Sequence, residues 1–185
     1  MASGMFEDEI VSGQAPLVAN SAKPSPLEQE VVSLFDQLQD RLLRYLLSLG
    51  LSIPDGEEII QEVFLALFRH LQRGKPRHNL RAWVFQVAHN LALKERNRQN
   101  RLEYREAAGL VDRELNPEDQ LAQNQRHVRL QAVLRALPEQ DRRCLALRAE
   151  GLTYREIAQV LDLSLGAVSI SLARSLARFI RAEEQ

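Results

Sequence analysis

From Leu27 onward, the apolar residues of this 185-residue chain recur at the three- and four-residue spacing of amphipathic α-helices. The pattern weakens over residues 106–118, where Gly109 and Pro117 appear. No stretch shows the strict alternation of a half-buried strand. The chain is therefore predicted to be all-α, with two small helical domains and a short linker. The predicted divisions are a tail over residues 1–26, a domain over 27–105, a linker over 106–118 and a second domain over 119–185.

Composition and cysteine content exclude several classes of protein. The net charge is −1, so any contact with nucleic acid has to come from local basic surfaces. The single Cys144 excludes an internal disulfide framework and a cysteine-cluster zinc site, and the four histidines show no metal-ligand spacing. No nucleophile–base pair or glycine-rich phosphate loop stands out. We expect no metal, no cofactor and no enzymatic activity.

The N-terminus and the hydropathy of the chain predict a cytoplasmic protein. No apolar run approaches the ~20 residues that span a bilayer, so no membrane insertion is expected. The N-terminus lacks a basic segment followed by an apolar one, which is the pattern of a secretory signal.

Three helices are predicted in the first domain. The first covers about residues 27–49 and ends at Gly50. The second opens at Pro54-Asp55, with Asp55 as N-cap and Glu58 three residues later. The third begins near Leu80 and continues into a basic stretch that has no apolar stripe. Four further helices are predicted over residues 119–136, 138–149, 153–161 and 166–181.

The last two of these helices carry the signature of a helix-turn-helix. Thr153 and Glu156 have the spacing of a capping box, and Asp162 stands at the tight turn, where it tolerates a left-handed backbone. Ser164 can cap the second helix. The stripe predicted to be buried on that helix is Val168, Leu172, Leu176 and Phe179. A helix-turn-helix that binds duplex DNA is predicted, and a helical hairpin with a solvated polar face is the alternative.

The second predicted helix has an acidic and amide face. Asp55, Glu58, Gln61 and Glu62 share one side, while Ile60 and other apolar residues turn inward. Taken alone, this pattern indicates only an amphipathic helix with a solvated acidic side.

Two longer strings resemble a known family when they are considered together. Residues 55–68 with 80–93 (Leu-Arg-Ala-Trp-Val-Phe-Gln-Val-Ala-His-Asn-Leu-Ala-Leu) resemble the second conserved region of extracytoplasmic-function sigma factors, which belong to the sigma-70 family. Residues 137–143 (Leu-Pro-Glu-Gln-Asp-Arg-Arg) and 151–161 (Gly-Leu-Thr-Tyr-Arg-Glu-Ile-Ala-Gln-Val-Leu) resemble the fourth region. The resemblance extends over residues 31–181 and implies a protein that directs core RNA polymerase to promoters, with an anti-sigma factor as a further partner.

The resemblance also implies roles for individual residues. The acidic and amide face would bind the polymerase, through Asp55, Glu58, Gln61 and Glu62. The first domain would open and read the −10 promoter element, through Lys75, Arg77, Asn90, Lys94, Arg96, Arg98 and Arg101. The helix-turn-helix would read the −35 element in the major groove, through Arg155, Ser164, Gly166, Ala167, Ser169, Ile170, Ala173, Arg174 and Arg178.

The sequence departs from the family at several of these positions. Relatives usually carry Lys or Arg where this chain has Ser169 and Ser171, and often a His where it has Ala173. An acidic residue is common at the position of Lys94. These differences favour hydroxyl and apolar contacts with the promoter, with Ile170 against a thymine methyl.

Two interpretations stay open from the sequence. A stand-alone helix-turn-helix regulator with an N-terminal sensing or dimerisation domain explains the second half equally well. It gives no reason for the acidic face of the second helix. A closed form, in which the two domains pack together and mask their own surfaces, is a further hypothesis, because the linker is short and both charge signs are present.

Overall fold

The computed structural model describes residues 24–106 and 130–183, and for residues 101–106 and 183 only the backbone. Every regular element in these ranges is an α-helix, which confirms the all-α prediction. The predicted tail and linker fall almost entirely outside the described residues. The helices are α1 (Pro26–Ser48), α2 (Ile53–Gln72), α3 (Leu80–Glu106), α4 (residues 130–136), α5 (Glu139–Ala149), α6 (Tyr154–Leu161) and α7 (Leu165–Glu183).

Local capping explains where the first two helices begin. Ser25 and Glu28 form a capping box at the start of α1, and Gly50 follows the helix with a φ of 90°. The prediction that Asp55 caps α2 is wrong. Ser52 is the N-cap, and Asp55 lies one turn into the helix, where its backbone N–H donates to the Ser52 hydroxyl at 3.3 Å. Proline is favourable in the first turn of a helix, so Pro54 does not mark a boundary.

The first domain is a three-helix unit in which α2 packs against α1 and α3. Its interior is apolar, and Tyr45 and Phe85 are its largest fully buried side chains. Phe35 of α1 meets Phe64 of α2 edge to face, with ring centroids 5.0 Å apart. The other fully or almost fully buried apolar residues of the domain include Leu38, Leu42, Leu46, Val63, Leu67, Leu71, Ala82, Val84, Ala88 and Ala92.

In the second domain, α7 packs against both α5 and α6. Val168 and Leu172 are buried, as predicted, but Leu176 is 54% exposed. Ser171 and Ser175 take the buried positions instead. Small side chains let two helices approach closely, and Gln140 of α5 donates to the Ser171 hydroxyl at 3.3 Å. The buried stripe of α7 is therefore rotated from the predicted one.

The two domains pack on each other. A single hydrophobic cluster includes Ala88 and Ala92 of α3 together with Leu147 and Ile157 of the second domain. The main contact is between α3 and α6, with a smaller one between α1 and α5. The structure thus shows the domain packing of the closed form that the sequence left as a hypothesis, but Glu58, Gln61 and Glu62 on α2 and Ile170 on α7 stay exposed, so these predicted surfaces are not masked. Within the described ranges, no single helix is long and apolar enough to cross a membrane, and only the bent pair of α6 and α7 meets that criterion jointly.

Candidate functional site

Helices α6 and α7 form the helix-turn-helix. The Glu156 carboxylate accepts from the Thr153 backbone N–H at 2.7 Å and from its hydroxyl at 2.8 Å, and the Glu156 N–H donates to that hydroxyl at 3.3 Å. These bonds confirm the predicted capping box. Asp162 has a φ of 53°, the left-handed conformation predicted for the turn, and the two helices meet at 107°. The turn therefore holds α7 at the angle to α6 that is typical of this motif.

The predicted DNA-contacting residues in the first half of α7 are accessible. Ser164 accepts from the Ala167 N–H at 3.1 Å, which makes it the helix cap. Ile170 is 63% exposed, and the exposed residues beside it in the first half of α7, Gly166, Ser169 and Ala173, are small. Arg155 lies exposed on α6. Of the residues predicted to contact DNA from the first half of α7, Ala167 is half-buried and the others are exposed, namely Gly166, Ser169, Ile170 and Ala173.

The two predicted arginines of α7 are hydrogen-bonded to the preceding helices. Arg174 Nε and Nη2 donate to the carboxylate of Asp141 at 2.6 and 2.7 Å. Asp141 is fully buried, and the Arg174 guanidinium, with a bond from Ser171 adding to it, keeps the pKa of that carboxyl below its usual value. Arg178 donates to the carbonyl of Ala136 at 2.9 Å. Both side chains therefore join α7 to the preceding helices, and their contact with DNA stays a prediction.

The acidic and amide face of α2 is open to solvent. Glu58, Gln61 and Glu62 are exposed. Asp55 is half-buried, and its carboxylate accepts from the Ser52 hydroxyl at 2.5 Å and from Gln99 of α3 at 3.0 Å. The bond from Ser52 is the main reason that the pKa of Asp55 is lowered. The structure therefore keeps three of the four predicted residues together and gives Asp55 internal partners.

Sequence reasoning missed Leu65 on this face. It is 50% exposed and lies one turn after Gln61 and Glu62 on α2. Single exposed apolar side chains are common on protein surfaces, so a role for Leu65 in binding is a prediction. The sequence carried one signal for it, because Leu65 lies outside the helical stripe that contains the buried Phe64 and Leu67.

The residues predicted to meet the −10 element divide into two groups. Lys75, Asn90 and Lys94 are exposed, and Asn90 and Lys94 lie one helical turn apart on α3. The remaining arginines with described side chains have acidic partners. Arg77 pairs with Glu30, Arg98 with Glu95 at 2.6 Å and Arg96 with Glu139 of α5 at 3.4 Å. The Arg101 side chain lies outside the described atoms. These assignments stay predictions.

Trp83 is half-buried on the first turn of α3. Its ring lies 4.7 Å from that of His70, measured between centroids, and it packs against the core. This position fits a structural role better than a base-stacking role.

A buried polar pair links α1 to α3. The Tyr45 hydroxyl and His89 Nδ1 are 2.8 Å apart, and both side chains are buried. Burial lowers the pKa of His89 to about 4, and the cation of Arg143 on α5 adds to that effect. Burial also raises the pKa of Tyr45. The pair is therefore uncharged at neutral pH.

Within the described part of the chain, no group of histidine, cysteine or carboxylate side chains has the geometry of a metal site. Cys144 is a free, buried thiol, and burial raises its pKa. Such a thiol is unreactive.

Comparison with protein families identifies both domains. The model of Sigma-70 region 2 matches residues 34–102, and the model of Sigma-70, region 4 matches residues 127–179. These two regions, in this order and with a helix-turn-helix in the second, define a two-domain sigma factor.

Relatives specify the group within that class. The ECF RNA polymerase sigma factor SigE of Mycolicibacterium smegmatis is 31% identical over 146 residues, which are 76% of this chain and 56% of SigE. The chain thus spans just over half of that relative's length. The RNA polymerase sigma factor CnrH of Cupriavidus metallidurans is 30% identical over 142 residues, 71% of this chain and 74% of CnrH. The chain belongs to the extracytoplasmic-function sigma factors.

Solved structures share the fold. CnrH in complex with the cytosolic domain of CnrY has a TM-score of 0.57 at 23% identity, with 84% of this chain and 88% of that chain covered. The sigma factor RpoE in complex with the anti-sigma factor NepR from Bartonella quintana has a TM-score of 0.64 at 16% identity, with 84% and 98% covered.

Proposed function

We propose that this sigma factor binds core RNA polymerase through the exposed face of α2 and directs it to promoters. The first domain opens and reads the −10 element, and the helix-turn-helix reads the −35 element. The protein works in the cytoplasm, catalyses no reaction itself and is restrained by an anti-sigma factor. The observation that supports this most directly is the presence of both sigma regions in one chain, with Glu58, Gln61 and Glu62 exposed on α2.

The chemistry of each surface fits its proposed partner. Exposed carboxylates on α2 attract a basic surface, so polymerase binding should weaken as salt is added. Opening of the duplex costs roughly 1.4 kcal/mol per base step, which contacts to the displaced strand must offset. We propose that Lys75, Asn90 and Lys94 contribute, and their exposure on the first domain supports this.

A pull-down with core RNA polymerase tests the polymerase contact. The test protein carries Gln61→Ala with Glu62→Lys, and the matched control carries Asp36→Lys with Gln37→Ala on α1. Asp36 and Gln37 are an exposed acid–amide pair on another helix, so the control makes the same chemical change elsewhere. We expect the native and control proteins to bind polymerase and the test protein to lose most binding. Equal binding by all three would remove the α2 face from the proposal.

Selection from a random duplex library tests promoter recognition. Core polymerase with the native chain should enrich two separated sequence elements, and core polymerase alone should enrich none. If the chain without polymerase enriches a single tight site and never binds polymerase, it is a stand-alone regulator.

A further inference from the structure

The side-chain hydrogen bonds described between the two domains have their donors on the first domain. Arg44 donates to Glu150 at 3.1 and 2.8 Å, and Arg81 donates to Glu156 at 2.9 and 2.5 Å, in two forked pairs. Asn79 donates to Gln159 at 2.6 Å, and Arg96 donates to Glu139 at 3.4 Å. In each of these contacts between described residues, the first domain supplies the donor and the second domain the acceptor.

The donors that bond to the second domain are continuous with an exposed basic segment. Asn79 ends the connection between α2 and α3, in which residues 73–79 are exposed and include Arg73, Lys75 and Arg77. Arg81 follows on the first turn of α3. The first domain thus carries a basic surface, part of which is free of the second domain and part of which is hydrogen-bonded to it.

A forked guanidinium pairs with a carboxylate and with a phosphate by the same geometry. We propose that Arg44, Asn79, Arg81 and Arg96 form a phosphate-binding surface for promoter DNA, and that the carboxylates of the second domain occupy it in the free protein. This inference rests on the proposed function, because it assigns the surface to promoter DNA. The second domain acts as an internal competitor, and its release exposes the whole basic surface.

The contacts are suited to reversible release. The Arg44 side chain is 59% exposed, so water and salt reach its pair with Glu150 and weaken it. The pair of Arg81 with Glu156 is less accessible to solvent. The hydrogen bonds that the Glu156 carboxylate accepts, of which the one from Arg81 has the largest effect, lower its pKa to about 2. A polyanion that meets the exposed segment first can then displace the carboxylates one after another.

A reversible crosslink tests whether closure blocks the surface. Asn79→Cys and Gln159→Cys replace a bonded pair of exposed side chains, and a cleavable bismaleimide joins them in the full chain. The native Cys144 is buried, so the introduced thiols react first. The probe is a labelled single-stranded oligothymidylate, because the helix-turn-helix is expected to bind duplex. We expect the crosslinked, closed form to bind the probe at least about tenfold more weakly than the cleaved form. The apparent affinity is proportional to the fraction of the protein in the open, binding-competent state, and the crosslink lowers that fraction. Equal affinities would overturn the proposal.

A variant that removes one negative charge from the second domain tests the same point without a crosslink. Glu150→Gln removes the negative charge and one of the two oxygens that accept from Arg44, without touching the Thr153–Glu156 capping box. Asp162→Asn is the matched control, since it removes an equal charge from the same domain and Asn tolerates the left-handed turn. We expect Glu150→Gln to bind the probe several-fold more tightly than the native chain, with Asp162→Asn unchanged. An equal gain in both variants would indicate net charge alone and overturn the proposal. No polymerase is present, so failure here is distinct from failure of the polymerase pull-down.

Discussion

The guanidinium of Arg174 on α7 forms two hydrogen bonds, of 2.6 and 2.7 Å, with the fully buried carboxylate of Asp141 on α5. The sequence placed this arginine on the DNA-facing side of the recognition helix. In the structure it anchors that helix to α5 and keeps part of its side chain in solvent. A residue in this position can orient α7 for DNA whether or not it contacts DNA itself.

Asp141→Asn should destabilise the second domain. The amide keeps the size of the carboxylate but puts an N–H₂ group where Arg174 requires an acceptor. We expect the free energy of unfolding to fall by roughly 1–3 kcal/mol, the usual cost of an unsatisfied buried hydrogen-bonding group. Urea unfolding followed by circular dichroism measures this change, with Asp162→Asn as the control for charge. An unchanged unfolding midpoint would show that the pair contributes nothing to stability.

Local sequence signals predicted local structure well. The capping box of Thr153 and Glu156 and the left-handed conformation of Asp162 are confirmed. Both features are determined by a few residues that are close together in the sequence. All seven predicted helices overlap a helix in the described residues, the fourth over its described part only. Two predictions were wrong. The N-cap of α2 depended on which of two nearby polar residues, Ser52 or Asp55, caps the helix. The buried stripe of α7 depended on residues of α5 that are distant in the sequence.

The burial of α7 shows why distant partners matter. Periodicity favoured Leu176 as buried, but α5 supplies Asp141 and Gln140, which attract polar groups to the facing side of α7. Ser171 therefore lies inside, Ser175 is buried with it and donates to the Ser171 carbonyl, and Leu176 lies outside. The contacts of Arg44 and Arg81 with the second domain were unpredictable for the same reason, since 106 and 75 residues separate the partners.

Leu65 should contribute to polymerase binding. Its half-exposed side chain lies among Glu58, Gln61 and Glu62, where it can enter an apolar pocket while the carboxylates pair around it. Leu65→Ala should weaken binding to core RNA polymerase about tenfold, which corresponds to about 1.4 kcal/mol. Its effect on unfolding should stay within ~0.5 kcal/mol, as for other exposed positions.

Fluorescence titration with core polymerase measures this effect. Val32→Ala is the control, because Val32 is an equally exposed apolar residue on α1. Identical affinities for the two variants would exclude Leu65 from the interface.

His89 should make the fold sensitive to mild acid. Its pKa is about 4 in the folded protein, against 6.5 for an exposed histidine, because it is buried beside Tyr45 and near the cation of Arg143, while Glu139 opposes the shift. The unfolded chain therefore binds more protons between these values, and stability falls as pH is lowered from about 6.5 to 4. Glu156 affects stability at lower pH. Its pKa falls from the usual 4.5 to about 2 in the folded protein, so its contribution to stability is lost as the pH falls through that range.

Histidine NMR and urea unfolding at several pH values test this prediction. His89 should stay neutral at pH 5.5, and His89→Gln should flatten the decline of stability above pH 5. His78→Gln is the control, since His78 is exposed. A titration of His89 near pH 6.5 in the folded protein would contradict the prediction.

The exposed side of α7 should limit the affinity of the helix-turn-helix for duplex DNA. Between residues 165 and 180, Arg174 is the only exposed charged residue, and Leu165, Ile170, Leu176 and Ile180 are each about half exposed or more. Affinity for duplex DNA depends largely on phosphate contacts, and each such contact adds about 0.9 to the slope of log affinity against log salt. Ile170→Lys should therefore tighten binding to a random duplex and steepen that slope by about 0.9. Fluorescence anisotropy at several salt concentrations measures both quantities, with Val32→Lys as the control for net charge. If the two variants show the same slope, α7 does not lie against the phosphates, and its apolar side would then serve a protein partner.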